Sequence, residues 1–189
     1  MAFTRRENWT VECGVGTQSM LAALFVRDTL ALSVDTTPDL PGLDPGVPVI
    51  VPPGVDRAAA ARDWPGWWTE VLEDARAEEP ERVHDVADTN SLLTRPALRD
   101  AVLALRDDFY RYRGTPTGRP PLPVGDVVRA VESRLGRPVR PFRLVINEVP
   151  VRGYVWERIA PGHVVASTAC LHDPSRSAPR LRAVVEDLA

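Results

Sequence analysis

The sequence predicts an α+β fold: an antiparallel β-meander at about 142–170, with helices packed mainly on one face. Three β-rich runs follow one another in this region, with turn residues between them. Pro161 and Gly162 suit the last turn, because Pro presets φ at the second turn position and Gly allows a positive φ at the third. Helical patterns lie outside the region, and helices segregated from an antiparallel sheet define the α+β class. The three runs are 142–147, 154–159 and 163–170.

The third run is predicted to lie inside the sheet. After His163 it contains no charged residue, whereas the second run contains Glu157 and Arg158. A strand low in charge on both faces suits the middle of a sheet. We therefore expect a second neighbour for it, which is either an N-terminal strand or the same strand of a second subunit. The candidate N-terminal strands are Trp9–Cys13 and Thr29–Val34, and the second of these is too short for periodicity to separate strand from helix.

Four amphipathic helices are predicted, each with apolar residues on one face at the helical period. A short helix that is capped by Asp56 is predicted to end before Pro65, since proline breaks helix interiors. The side chains of Trp64, Trp67 and Trp68 suit either a core or an interface. The four amphipathic helices are 65–79, 95–112, 123–135 and 178–188.

Composition indicates one globular domain. The chain has 189 residues, of which 44% are hydrophobic, and this suits a single α+β domain spanning 1–189. Nineteen prolines are present, and a Pro-rich connecting segment lies at about 36–54. The formal net charge is −3 and all 23 basic residues are arginine, a pattern typical of GC-rich coding bias. We therefore expect no nucleic-acid partner.

The sequence predicts a cytoplasmic protein without a membrane segment. Two cysteines are too few for a disulfide framework. The N-terminal residues lack the apolar stretch of a signal peptide. No apolar run reaches the roughly 18 residues that a spanning helix needs.

A glycine-containing loop is the first candidate site. Gly14 and Gly16 follow a short predicted strand, Thr17 could cap the next helix, and Asp35 lies about 20 residues further on. This order is similar to the opening of a dinucleotide-binding βαβ unit, in which backbone N–H groups face a phosphate and an acidic residue binds the ribose. Ser19 stands where that pattern has its third glycine. The alternative is a turn that precedes a core helix, in which case no cofactor binds here.

An arginine column is the second candidate site. On the predicted helix 95–112, four arginines fall within about 40° of one another at 100° per residue. They suit the binding of an anionic ligand or an acidic partner. The alternative is that their stems cover the rim of the core while their charged ends lie in water. If the acidic edge of helix 65–79 (Glu70, Glu73 and Asp74) packs alongside Arg99 and Arg106, the two helices are neighbours. The column consists of Arg95, Arg99, Arg106 and Arg113.

No motif for metal binding or covalent catalysis is present. The sequence contains neither paired-cysteine nor His-Glu-x-x-His spacing, so no metal is expected. A Gly-x-Ser-x-Gly nucleophile motif is also absent from the sequence.

Three functions are consistent with these patterns. The first is a non-enzymatic cytoplasmic protein that binds a protein partner or a second copy of itself. The second is binding of a nucleotide or an anionic small molecule through Gly14–Thr17. The third is an enzyme whose site is assembled from distant segments, which a single sequence does not reveal. The sequence does not decide whether the chain is an enzyme, and it identifies no ligand.

Overall fold

A computed structural model describes residues 2–6, 8–15, 18–35, 37–77, 85–113 and 122–189. Their contacts divide the chain into two compact units. The sheet unit comprises Met1–Gly16 and Thr117–Ala189, and the helical unit comprises Thr17–Pro116. The prediction of a single domain over 1–189 stays a prediction.

Within the described part of the chain, five strands and eight α-helices are present. The strands are β1 (Ala2–Arg6), β2 (Trp9–Val15), β3 (Phe142–Val149), β4 (Trp156–Ala160) and β5 (His163–Ser167). The helices are α1 (Gln18–Thr29), α2 (Arg57–Arg76), α3 (Asn90–Leu93), α4 (Pro96–Ala104), α5 (Arg106–Arg113), α6 (Val124–Leu135), α7 (Thr168–His172) and α8 (Pro174–Leu188). A 3₁₀ turn spans Val86–Asp88.

The sheet unit is built on a mixed sheet with the strand order β1-β2-β3-β5-β4. β2 and β5 both run parallel to β3, whereas β1 and β4 pair antiparallel with β2 and β5. The α+β class is confirmed, but the antiparallel meander predicted for 142–170 is wrong. After β3 the chain moves to the outer edge, forms β4, and returns as β5 between β4 and β3. Alternation and turn residues identify strands, but they do not specify which strands pair.

β5 has a second neighbour, as its low charge predicts. That neighbour is β3 and not an N-terminal strand; the predicted Trp9–Cys13 strand joins the sheet as β2, on the other side of β3. β5 is also shorter than predicted, because Ser167 ends it and caps α7. The Ser167 hydroxyl accepts a hydrogen bond from the Cys170 N–H at 3.2 Å. Such a cap satisfies a donor that the first helical turn leaves unpaired.

One face of the sheet packs against α6 and α8. Alternate residues of the strands point to this face, and the helices contribute their apolar stripes. α6 matches its prediction and ends at Gly136, which adopts a left-handed conformation with φ of 66°. The shared core consists of Trp9, Val11, Cys13, Val124, Val127, Val128, Val131, Val139, Leu144, Ile146, Val164, Ala166, Leu171, Leu181, Val184, Val185 and Ala189.

The helical unit contains one continuous α2 where two helices were predicted. Asp56 caps it as expected, accepting a hydrogen bond from the Ala59 N–H at 2.9 Å, but Pro65 lies inside the helix. Proline in a helix interior costs about 3 kcal/mol. Trp64, Trp67 and Trp68 are at most 1% exposed, and burial of one such side chain stabilises by about 4–6 kcal/mol. Core packing therefore outweighs the proline cost, and these tryptophans are core residues.

The predicted helix 95–112 is two helices, α4 and α5. The break falls at Leu105, whose N–H is shared between the carbonyls of Ala101 and Leu103. The apolar stripe nevertheless stays in register, and Leu98, Val102, Leu105 and Phe109 are all buried. Hydrophobic periodicity predicted the buried face correctly because a local change of one turn leaves that face in place.

The Pro-rich segment is held by the end of α1. Thr29–Val34 is not a strand, because α1 ends at Thr29 and no regular structure follows up to residue 35. Arg27, which is 8% exposed, donates hydrogen bonds to the carbonyls of Leu40 at 2.6 Å and Pro41 at 2.8 Å. The carboxylate of Asp28 accepts from the Leu43 N–H at 2.6 Å. These bonds fix an irregular chain without a helix or strand of its own.

Among the described residues, no helix is both long and apolar enough to cross a bilayer.

Tyr112 provides a test of packing in the helical unit. Burial, together with the carboxylates of Asp28 and Asp44, raises the pKa of Tyr112 to about 12. Because the folded state disfavours the ionised phenol, its contribution to stability is complete below the ordinary pKa of about 10 and is lost as pH rises towards 12. We expect Tyr112→Phe to flatten the decline of unfolding free energy in this pH range. Urea unfolding at several pH values measures it.

The matched control is Tyr154→Phe, since Tyr154 is 49% exposed. This control should retain the alkaline decline of the wild type. An unchanged decline in Tyr112→Phe contradicts the prediction.

Candidate functional site

The parallel strands bring their C-terminal ends to one edge of the sheet. β2 ends at Val15, β3 at Val149 and β5 at Ser167. In the register of these strands Gly14 lies opposite Asn147. We call Gly14, Asn147, Glu148, Ser167 and Thr168 the carboxyl edge. Ligands of open sheets with parallel strands bind outside the carboxyl ends of those strands.

Two buried side chains at the carboxyl edge each have a polar atom without a hydrogen-bond partner. Asn147 is 7% exposed and Glu148 is 3% exposed. Among the described residues, nothing bonds to Nδ2 of Asn147, Oε1 of Glu148 or the hydroxyl of the neighbouring Thr168. Each unpaired buried group costs about 1–3 kcal/mol, and groups of this kind in native proteins call for an explanation.

Ser167 has the opposite character. It is fully buried, and its hydroxyl donates to the Gly153 carbonyl at 2.7 Å and accepts from the Val155 N–H at 3.0 Å. It also caps α7 through the Cys170 N–H. Its hydrogen-bonding capacity is therefore used within the protein. Ser167 holds the loop between β3 and β4 in place, and it is not free to bind a ligand.

Only part of the predicted glycine loop lies among the described residues. Gly14 lies in β2 at the carboxyl edge, whereas Gly16 and Thr17 are outside the described residues. Asp35 is exposed and lies in an irregular segment. Among the described residues, the neighbours of β2 in the sheet are β1 and β3, and neither strand leads to Asp35. β2, α1 and the segment before Asp35 therefore do not form a βαβ unit. Nucleotide binding through these residues stays a prediction.

Comparison with known protein families, curated proteins and solved structures finds no match for this chain.

The arginine column is engaged by acidic and carbonyl groups of the helical unit. Arg95 makes a two-pronged pair with Glu70, at 2.9 and 2.5 Å, and donates to the Ser91 carbonyl at 2.6 Å. Hydrogen bonding to Arg95 lowers the pKa of Glu70. Arg99 donates to the Ala87 carbonyl at 3.0 Å. An additional ion pair joins Arg106 to Asp85, and Arg113 is exposed at the end of α5.

The acidic edge of α2 meets Arg95 through Glu70, and α2 and α4 are neighbours. The expected partners of the next two arginines were wrong, since Arg99 and Arg106 contact the region 85–88. Sequence periodicity placed the arginines on one side of the predicted helix. It gave no indication that the segment 85–88 lies beside two of them. Anion or partner binding by the column stays a prediction.

In the described ranges, no three or more His, Cys, Asp or Glu side chains are grouped to hold an ion. Cys13 and Cys170 are buried and are not joined by a disulfide, and burial raises the pKa of Cys170.

Sequence analysis missed Asn147, Glu148 and Thr168. The indication was present in β3, whose apolar run is interrupted by Asn147 and Glu148 just before its end. Two adjacent polar residues at the end of a strand that is buried on both faces could have identified this edge.

Proposed function

We propose that this chain binds a nucleotide-type small molecule at the carboxyl edge. The observation that carries the proposal is that two buried side chains, Asn147 and Glu148, each have one polar atom without a hydrogen-bond partner. An amide N–H group donates and a carboxylate accepts. Because successive residues of a strand point to opposite faces, the two side chains would meet different hydroxyl groups of a ligand that lies across the end of β3.

Sugar hydroxyls suit this arrangement best. Carboxylates accept hydrogen bonds from ribose hydroxyls in dinucleotide-binding sites. In the present case Glu148 would have that role in place of Asp35, and the amide of Asn147 would donate to a ligand oxygen. Gly14, opposite Asn147 in the register, has no side chain to occupy the space beside that amide.

Replacing Glu148 tests the proposal. We expect Glu148→Met to raise the free energy of unfolding by about 1–3 kcal/mol, because it removes a buried carboxylate oxygen that has no partner and nearly conserves volume. It should also abolish the stabilisation that adenosine 5′-monophosphate gives the wild type. A ligand at 100 times its Kd stabilises by about 2.7 kcal/mol. Thermal unfolding with and without the nucleotide measures both effects.

The matched control is Glu157→Met, because Glu157 is an exposed carboxylate on β4. It should change stability by less than about 0.5 kcal/mol and leave binding intact. Failure of the wild type to bind nucleosides and nucleotides rules out the proposal. Retained binding in Glu148→Met removes that carboxylate from the site.

Protein binding or self-association stays a second candidate function. Its support is an exposed apolar segment in the helical unit, where Val49, Ile50 and Val51 are 65%, 40% and 46% exposed. Exposed contiguous apolar surface often marks interaction sites. Light scattering at falling concentration measures self-association. The enzyme alternative and the cytoplasmic location also stay predictions.

A further inference from the structure

Tyr154 is an exposed aromatic residue on a tightly held loop. The loop joins β3 to β4, and Tyr154 is 49% exposed. The residues on both sides of it are bonded to buried Ser167, through the Gly153 carbonyl and the Val155 N–H. The Ser167 N–H also donates to the Val155 carbonyl at 3.0 Å. The backbone that carries this ring is therefore fixed at both of its flanks.

The ring itself is held by a cation. The guanidinium carbon of Arg176, in the first turns of α8, lies 4.0 Å from the ring centroid of Tyr154. A guanidinium over an aromatic face is attracted by the negative potential of the ring. Because Arg176 covers one face, the exposed surface of Tyr154 belongs to the opposite face and the ring edge. A flat, pre-positioned aromatic surface is thus presented to solvent.

The loop that carries Tyr154 is bonded to Ser167, a residue of the carboxyl edge. Ser167 holds the Tyr154 loop, lies opposite Val149 in the sheet, and directly precedes Thr168. The preceding residue of β3 is Glu148, whose unpaired oxygen we assign to the ligand. Ser167 therefore joins the aromatic loop to the strand ends that carry the unpartnered polar atoms.

We propose that Tyr154 stacks on the base of the bound nucleotide, an inference that rests on the proposed function. Every nucleobase has a flat π-face, and stacking on an aromatic side chain contributes about 1–3 kcal/mol per base in single-strand binding proteins. Because Arg176 already covers one face of the ring, the Tyr154 side chain loses little conformational freedom when a base covers the other face. Tyr154 thus discriminates ligands with a base from ligands without one.

Two ligands that differ only in the base test this role. Isothermal titration calorimetry compares adenosine 5′-monophosphate with ribose 5-phosphate in the wild type, Tyr154→Leu and Tyr154→Phe. We expect the wild type to bind the nucleotide about 5- to 150-fold more tightly than ribose 5-phosphate. Tyr154→Leu should lose this preference with unchanged ribose 5-phosphate affinity, and Tyr154→Phe should keep it.

The outcomes separate the two proposals. A wild type that binds neither ligand overturns the proposed function and the stacking role together. Equal nucleotide affinity in the wild type and Tyr154→Leu overturns the stacking role alone. An equal loss of affinity for both ligands in Tyr154→Leu also overturns the stacking role, because the loop would then have only a structural role. The stacking role is supported if Tyr154→Leu selectively loses affinity for the nucleotide and Tyr154→Phe keeps the wild-type preference.

Discussion

Trp64→Ala is expected to lower the unfolding free energy of the helical unit by about 3–5 kcal/mol. The Trp64 side chain is fully buried, its ring stacks on Trp68 with centroids 5.5 Å apart, and its indole N–H donates to the Ala23 carbonyl at 2.8 Å. Truncation removes the packing, leaves a cavity and deprives a buried carbonyl of its donor. Urea unfolding followed by circular dichroism measures the difference.

Leu93→Ala is the matched control for this truncation. Leu93 is a large apolar residue of the same unit, but it is 58% exposed. Its removal should change stability by less than about 0.5 kcal/mol. Similar losses in Trp64→Ala and Leu93→Ala would falsify the assignment of Trp64 to the core.

Gly162→Ala is expected to destabilise the sheet unit by about 1–3 kcal/mol or more. A Cβ at this position would lie 2.5 Å from the Arg143 carbonyl oxygen, a backbone atom that cannot rotate away. The Gly162 carbonyl meanwhile accepts from the Val145 N–H at 2.8 Å, so the approach is part of the β3–β5 pairing. The turn therefore needs glycine for close contact with a strand. The sequence had suggested a positive φ, which the structure shows at Gly54, Gly136 and Gly153 but not at Gly162.

Gly125→Ala provides a control of opposite sign. Gly125 lies in α6, and the nearest atom that its Cβ would meet is the flexible Arg129 guanidinium at 3.9 Å. Alanine restricts the unfolded chain and favours helix, so this variant should gain up to about 1 kcal/mol. Thermal unfolding of both variants should shift in opposite directions. A Gly162→Ala protein as stable as the wild type contradicts the close contact.

Local features of the fold were predictable from the sequence, and strand pairing was not. α6 and the strand segments near 142, 156 and 163 follow from periodicity, which depends on neighbouring residues only. The parallel pairing of β3 with β5 depends on where the chain crosses the sheet. Pro65 was misjudged because three buried tryptophans, rather than local propensity, determine the course of α2.

The candidate site was predictable at Gly14 alone. That residue belongs to a recognisable local pattern, whereas Asn147 and Glu148 gain their significance from burial at a sheet edge. Burial at that edge depends on which strands lie side by side. Tyr154 was likewise unremarkable in sequence, since its rigidity comes from Ser167 and Arg176, which are distant in the chain.

The pairing of β2 with β3 has a consequence for synthesis on the ribosome. These adjacent strands are separated by about 130 residues, a delay of roughly 6–26 s at ordinary elongation rates. During that interval β1 and β2 can form only a two-stranded hairpin, which is marginally stable in water. The helical unit is encoded within the same interval as one contiguous stretch. We therefore expect the helical unit to be protected from protease in nascent chains before β3 pairs with β2.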